Sequence, residues 1–190
     1  MTTLHIFTEE TSAKNVFEVL LPKILPESIF FRIYPHQGKQ DLEHALKTSL
    51  PSISRIPGAK ILITRDQDSS DCKEVKAEIL ELVGENCRCD FLIRIVCKEL
   101  ESWFLGDLEA VKYAYPRFKP EQYVNDALFR NVDKIANPDQ TLLRIIPELK
   151  NHETLPKLAV SEAIAPYLNI TSNVSRSFNQ TLLAINTLVS

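Results

Sequence analysis

Four short apolar segments that alternate with helical patterns limit the fold of this sequence more than any other feature. Strands that alternate with helices form a mainly parallel sheet, because each helix returns the chain to the start of the next strand. The third segment is apolar almost throughout, which indicates a strand buried on both faces of the sheet. The predicted strands cover residues 4–7, 29–34, 60–65 and 91–96.

Short polar side chains that accept hydrogen bonds from free amide groups mark where the intervening helices begin. Thr11 or Ser12 is predicted to cap the first helix, and Asp41 the second. Ser69 or Ser70 is predicted to cap the third. These helices are expected to cover both faces of the sheet.

The pattern changes after residue 98, where strand signals stop and proline-punctuated helical segments follow. We therefore expect an α/β core over residues 1–98 and an all-α region over residues 99–190 that packs on it. No Gly/Ser-rich stretch separates the halves, so a flexible linker is not expected. The predicted helices cover residues 101–104, 108–115, 123–135, 140–149, 157–168 and 175–189.

The amino-acid composition argues against two kinds of binding: wrapping of nucleic acid by a basic surface, and nucleotide binding by a glycine-rich loop. The formal net charge is −3 and the isoelectric point about 5.8, whereas a domain that wraps nucleic acid alone is usually basic. Any contact with nucleic acid is therefore expected to be local, metal-mediated or helped by a partner. Glycine occurs only 4 times in the 190 residues, and neither common glycine-rich nucleotide-binding motif is present.

Cysteine spacing and hydropathy indicate a cytoplasmic protein with reduced thiols. Cys87 and Cys89 are too close for the usual zinc spacing, and no second pair completes a zinc site. The sequence has no recognisable signal peptide and no apolar run of membrane-spanning length. We expect no membrane association.

Asp66 and Asp68 follow the third predicted strand and are the strongest candidates for chemistry. Two carboxylates one residue apart repel each other unless a cation lies between them, and Mg²⁺ suits that role. The carboxyl ends of parallel strands are also where function collects in open α/β sheets. The alternative is a helix cap and turn, in which Asp and Ser are common.

Further acids follow the first and fourth strands. Glu9 and Glu10 close the first strand at the same edge of the sheet, and Glu99 and Glu101 follow the fourth. We expect Glu9 to join Asp66 and Asp68 in the functional site. We expect Glu10 to lie at a helix N-terminus, where the helix dipole favours an acidic side chain. Glu99 and Glu101 are expected to complete a second metal site or to orient its ligands and water.

Cationic and polar residues suggest phosphate contacts. Gly38 and Lys39 end the second strand and can bring an amide and an ammonium to a phosphate, while His36 is a candidate proton shuttle. Alternatively, Gly38 only makes the turn. Lys157 and Arg176 are the notable cations of the second half, and Arg176 can hold either a phosphate or a structural carboxylate.

Two arginines lie within predicted strands. Arg65 and Arg94 are expected to be half buried, and a guanidinium in that position needs a carboxylate partner.

The order of strands and acids resembles the Toprim (topoisomerase–primase) core, in which a Glu after the first strand and a DxD after the third hold Mg²⁺. The resemblance assigns those roles to Glu9, Asp66 and Asp68. More closely, the sequence is similar to a bacterial family of uncharacterised Toprim-like proteins, related in domain type to overcoming-lysogenization-defect nucleases. The motifs that carry this likeness include Thr8-Glu9-Glu10, Arg65-Asp66-Gln67-Asp68-Ser69-Ser70-Asp71-Cys72, Glu99-Leu100-Glu101-Ser102-Trp103-Phe104, Asn137-Pro138-Asp139 and Arg176-Ser177-Phe178.

The sequence departs from the usual Toprim pattern in ways that limit which Toprim activity the resemblance implies. Typical Toprim domains follow the Glu with Gly, where this sequence has Glu10, and no tyrosine stands in a recognisable DNA-cleaving motif. A Gly would let a phosphate approach the backbone closely. The resemblance therefore implies a nuclease-like domain and not a topoisomerase.

Together the residues and the resemblance predict a phosphodiester hydrolase that acts on nucleic acid with Mg²⁺ or Mn²⁺, in a defence or DNA-repair system. Lys39, Gly38 and Arg176 would bind phosphate, and His36 would assist proton transfer. The alternative is a non-catalytic binding or regulatory subunit of a partner ATPase. The resemblance implies this alternative because some members of the family are expected to be encoded beside an ATPase gene.

Overall fold

A four-stranded parallel sheet forms the centre of the first half of the protein. The computed structural model describes residues 1–84 and 86–190. The strand order is β2-β1-β3-β4, and every neighbouring pair is parallel, which confirms the predicted α/β class. The strands are β1 (Thr3–Thr8), β2 (Phe30–Pro35), β3 (Ala59–Asp66) and β4 (Phe91–Val96).

Helices cover both faces of this sheet and make up most of the second half. Short 3₁₀ turns at Pro120–Gln122, Ala127–Lys134, Pro147–Leu149 and Ala165–Tyr167 connect the later ones. The helices are α1 (Thr11–Ile24), α2 (Lys39–Thr48), α3 (Leu50–Ile53), α4 (Cys72–Val83), α5 (Glu101–Leu105), α6 (Leu108–Ala114), α7 (Pro138–Ile145), α8 (Lys157–Ile164) and α9 (Arg176–Val189).

The two faces bury different apolar clusters. Phe7, Ile61 and Ile63 point towards α2 and α4, whereas Leu4 and Leu62 point to the opposite face, where they join a larger cluster. Alternation of neighbouring side chains between the two faces of a strand produces this division. Helix α9 packs against β4 and β3, and α8 packs against α1, so the helices after residue 98 pack directly on the α/β core.

The register brings the carboxyl ends of the strands to one edge. Thr8 ends β1 opposite Thr64 of β3, while β3 continues for two residues to Asp66, which pairs with Val96 of β4. Asp66 therefore lies inside the strand, not after it as predicted. The backbone pairing fixes its position at the edge of the sheet.

The predicted helix caps were wrong. Asp71, not Ser69 or Ser70, caps α4 and accepts a hydrogen bond of 2.8 Å from the Lys73 amide. Helix α2 begins before Asp41, because Gly38 adopts φ +94° and turns the chain into the helix early.

At the start of α1 the position preceding the helix belongs to Glu10, whose side chain caps no amide. The prediction that Thr11 or Ser12 caps α1 was therefore also wrong. The Ser12 hydroxyl instead donates to the Glu10 carboxylate, at 3.1 Å.

Several helices of the second half are shorter than predicted. The segment 123–135 forms 3₁₀ turns with a break at Asn131, which has φ −144° and ψ 79°. Helix α7 ends at Ile145 because Pro147 disfavours the helical conformation of Ile146. Helix α8 ends at Ile164. Among the described residues, none of the helices combines the length and apolar character needed to cross a bilayer.

Candidate functional site

Carboxylates from three separate segments meet at the carboxyl edge of the sheet. Glu9 follows β1, Asp66 ends β3 and Glu101 begins α5. The Asp66 amide donates a hydrogen bond of 3.2 Å to Glu9 Oε2, which ties the first two segments together. The sequence prediction that these acids share one edge of the sheet agrees with their positions.

Two of these carboxylates are buried. Asp66 is 9% exposed and Glu101 is fully buried. Burial raises the pKa of Asp66 well above its usual value, and the charges of Glu101, Glu10 and Glu9 raise it further. Burial likewise raises the pKa of Glu101 to about 7, although the Lys157 ammonium opposes this shift. The folded protein thus favours the protonated forms of both groups unless a cation lies beside them.

Glu9 contacts both Asp66 and Arg65. Its pKa is raised chiefly by burial, while the hydrogen bond from the Asp66 amide opposes the shift. The same oxygen, Glu9 Oε2, lies 3.9 Å from Arg65 Nε. Glu9 is therefore only partly neutralised within the described part of the chain.

Lys157, the first residue of α8, supplies the cation closest to the buried acids. Its ammonium nitrogen lies 3.3 Å from Glu99 Oε2, 3.7 Å from Glu101 Oε2 and 3.7 Å from Glu10 Oε1. Burial alone would lower the pKa of Lys157, but these carboxylates raise it above its usual value. Lys157 is therefore a fixed positive charge at neutral pH.

A small enclosed cavity lies beside these groups. Its volume is about 10 Å³, and Glu9, Glu10 and Asp66 contribute to its wall. That is about the space one water molecule occupies. Phe17 and Trp103 contribute to its apolar side, where charges are poorly screened.

A larger open cleft lies next to the acids. Its volume is about 460 Å³, and Asp68, Ser69, Lys98, Glu99 and Asn137 line it together with the small Ala136. The exposed Asp68 therefore faces this cleft.

The walls of this cleft are built on unusual backbone. Asp68 has φ 53° and Lys98 has φ 61°, a region that residues other than Gly rarely adopt. The Asp68 amide donates to the Lys98 carbonyl at 2.9 Å, and the Lys98 amide donates to Gln67 Oε1 at 3.3 Å. Such strained positions cluster at functional sites.

Lys39, a predicted phosphate ligand, is engaged elsewhere. Its ammonium lies 3.7 Å from Glu43 and 3.6 Å from Glu78. Arg65, which is buried, contacts the same two carboxylates at 3.5 and 3.3 Å. These residues form an ion-pair cluster on the α2/α4 side of the sheet, which confirms the predicted carboxylate pairing of Arg65.

Arg94 does not have the predicted carboxylate partner. Its Nε donates to the backbone carbonyl of Gln180 in α9, at 3.1 Å. A carbonyl at this contact takes the place of the predicted carboxylate, because α9 covers β4 at this point.

His36 is buried against β1. Its Nδ1 lies 2.8 Å from the Thr8 carbonyl oxygen; because a carbonyl only accepts, Nδ1 carries the proton. The ring also stacks on Phe7, with centroids 5.9 Å apart. Gly38 donates its amide to the Glu9 carbonyl at 2.9 Å, so this turn holds the backbone of Glu9 in place.

Arg176 is exposed at the start of α9, near the end of β4. Burial raises the pKa of Cys97, and the nearby Arg176 guanidinium partly opposes that shift. None of the ion pairs between described residues involves Arg176 or Lys98. These two cations are therefore available to an anion beside the acidic cluster.

The donor chemistry of the acidic cluster fits a hard divalent cation. Both carboxylate oxygens of Glu101 are buried without a hydrogen-bond partner, and every nearby acid offers oxygen, the donor that Mg²⁺ prefers. In residues 1–84 and 86–190, however, no three His, Cys, Asp or Glu side chains already form a metal-ligating group. Glu9 and Asp66 are joined by a hydrogen bond and both line the small cavity.

Sequence reasoning gave Lys157 no role at the site and did not consider Lys98. Lys98 lies two residues after the end of β4, so its position after a predicted strand was a usable signal. Lys157 reaches the acids from α8, far along the chain, and no local pattern announces that contact. Glu10 was assigned to a helix terminus, yet it also contacts Lys157.

Comparison with known proteins supports the fold. Neither a protein-family model nor a curated protein matches the sequence. Among solved structures, the C-terminal region of the Burkholderia pseudomallei OLD protein is similar, with a TM-score of 0.55 and 13% sequence identity over 98% of each chain. At this identity the likeness establishes a shared fold over nearly the whole chain, including the helical second half.

Proposed function

We propose that this protein hydrolyses phosphodiester bonds in nucleic acid with the help of Mg²⁺ or Mn²⁺. Glu9 and Asp66 would hold the ion at the end of β1 and β3, and Asp68 would contact it from the cleft side. The bound ion would activate water and neutralise the charge that develops on the phosphate. The Toprim-like motifs of the sequence and the fold shared with the OLD region support this assignment.

The excess of buried negative charge carries the proposal. Glu9, Glu10, Asp66, Glu99 and Glu101 lie together, and Lys157 is the ammonium within 4 Å of three of them. Burying unpaired carboxylates is costly, so a chain keeps them where a cation or a reaction requires them. A cation bound beside Asp66 and Glu101 would lower their raised pKa values and so favour the charged carboxylates.

The open cleft suggests how a nucleic acid strand would approach. Lys98 lines the cleft, and neither Lys98 nor the exposed Arg176 forms an ion pair with another residue that the structure describes, so both can contact phosphates. Lys39 would reach a phosphate only after leaving Glu43 and Glu78, which makes Lys98 the better candidate for that contact. Because the chain is acidic overall, these local cations would carry most of the electrostatic attraction.

Cleavage assays with labelled single- and double-stranded DNA and RNA test the proposal. With Mn²⁺ present, the wild type should cleave at least one substrate, and Asp66→Asn should reduce the rate by at least about a hundredfold, because the ion loses a charged ligand. EDTA should abolish cleavage.

Asp90→Asn is the matched control. Asp90 precedes β4 at the opposite edge of the same sheet, where its side chain is 75% exposed and pairs with Lys60. This variant should cleave at the wild-type rate. Equal activity of Asp66→Asn and wild type would contradict the proposal.

A non-catalytic subunit is the second candidate, and the position of Lys157 favours it. An ammonium among three carboxylates gives the cluster a purely structural partner. In that case the protein would bind a partner ATPase without cleaving nucleic acid. Gel retention of DNA by the purified chain with Mn²⁺, followed by no cleavage of any substrate, would favour this candidate.

A further inference from the structure

Lys157 occupies a point where carboxylates from different segments converge. Glu10 precedes α1, Glu99 lies between β4 and α5, and Glu101 begins α5. Each places a carboxylate oxygen 3.3 to 3.7 Å from the ammonium nitrogen. Convergence of acidic side chains from separate segments is the arrangement that proteins use to hold a divalent cation.

Glu101 shows that this point requires a positive charge. The side chain is fully buried, and neither carboxylate oxygen accepts a hydrogen bond. Its contact with Lys157 at 3.7 Å is therefore the interaction that compensates its charge. A buried carboxylate without donors is stable in its charged form only beside a cation.

Glu9 and Asp66 adjoin the ammonium cluster, because they line one small cavity together with Glu10 and because the Lys157 charge acts on Asp66. The hydrogen bond from the Asp66 amide joins them, and the cavity beside them has a volume of about 10 Å³. That space admits one water-sized particle and no more. In enzymes with two metal ions, two neighbouring sites about 3.5–4 Å apart each hold a positive charge among acidic side chains.

We infer that the Lys157 ammonium takes the place of a second divalent cation, so that the site binds one ion, between Glu9 and Asp66. This inference rests on the proposed metal-dependent function. An ammonium supplies charge but no coordination site for water, so the bound ion alone would activate the nucleophile. Lys157 would stabilise negative charge on the phosphate oxygens or on the departing oxygen.

The number of bound Mn²⁺ ions tests the inference without any activity measurement. Native mass spectrometry at increasing Mn²⁺ should give one specifically bound ion for the wild type and one for Lys157→Arg, which keeps the charge. Lys157→Met removes the ammonium and leaves three carboxylates together, so it should bind two ions. A second variant, Lys157→Met/Glu10→Gln, removes the ammonium and one of its three carboxylates, and it should also bind two ions. This variant provides the ion count if Lys157→Met does not fold.

The outcomes separate this inference from the proposed function. Two ions on the wild type, or one ion on both variants that lack the ammonium, would overturn the role of Lys157 and leave the metal-dependent function standing. An ion count on the wild type that does not fall in Asp66→Asn would place the metal elsewhere and overturn both. No specific binding by the wild type would also overturn both.

Discussion

The burial of Glu101 predicts a specific pH dependence of stability. Its pKa is raised to about 7 in the folded protein, from an ordinary value of 4.5. The folded state therefore holds this proton more tightly than the unfolded state. Stability from this group is fully present below pH 4.5 and is lost as the pH rises through about 7.

The size of the effect follows from the two pKa values. At about 1.36 kcal/mol for each pH unit, the difference corresponds to roughly 3 kcal/mol between pH 4.5 and pH 8. No discount for solvent screening is needed because Glu101 is fully buried. Replacing Glu101 by Gln removes the titrating proton while keeping a side chain of the same shape.

Urea unfolding of the wild type and Glu101→Gln between pH 4.5 and 8.5 measures this effect in metal-free buffer. The stability of the variant relative to the wild type should increase by about 3 kcal/mol across that range. Asp66 titrates in both proteins, but the Glu101 charge raises its pKa only in the wild type, so this coupling favours the variant at high pH in the same direction. Glu18→Gln is the control, because Glu18 forms an ordinary i,i+4 pair with Lys14 on the surface.

Parallel stability profiles for the wild type and Glu101→Gln would refute this reasoning. They would mean that Glu101 is as well solvated or as well paired in the folded state as in the unfolded state. A profile of the opposite sign would mean that Lys157 lowers the pKa of Glu101 below its ordinary value.

Four further substitutions test the packing around the site. Arg65→Met should destabilise the protein by about 1–3 kcal/mol in urea unfolding, because the mostly buried Glu9 carboxylate loses its cation while Lys39 still pairs with Glu43 and Glu78; an unchanged unfolding midpoint would contradict this. Gly38→Ala should cost about 1–3 kcal/mol, since a φ of +94° with a ψ of −178° strains any residue other than Gly, although the added methyl group meets nothing within 4 Å. Gly106→Ala should cost more in thermal unfolding, because its methyl group would lie 2.9 Å from the Ser175 amide; equal melting temperatures for the two glycine variants would contradict the packing described. Asp133→Ala should lower stability by about 2–3 kcal/mol through loss of its hydrogen bonds to the start of α9, and a negligible change in urea would show that those bonds contribute little.

The sequence was sufficient to predict the sheet and the edge at which the acids lie. Alternating strand and helix patterns imply parallel strands, and parallel strands bring their carboxyl ends together. Glu9 and Asp66 could therefore be placed side by side before any coordinates were known. The exact ends of helices were less predictable, because Gly38 and Asp71 acted where other capping residues were expected.

Contacts made by the second half could not be predicted in the same way. Lys157 reaches Glu101 because α8 packs on α1, and that packing depends on tertiary contacts across the whole chain. The engagement of Lys39 with Glu78 also depends on the mutual positions of α2 and α4. Residues with plausible chemistry were recognised from the sequence, but their partners were not.

Calorimetric titration with Mn²⁺ tests most directly whether the acidic edge is a metal centre. The wild type and Asp90→Asn should bind Mn²⁺ with the same affinity. Asp66→Asn should bind Mn²⁺ at least about tenfold more weakly, because one charged ligand is lost. Equal affinity of all three proteins, or no binding by any of them, would contradict the assignment of the metal to Glu9 and Asp66.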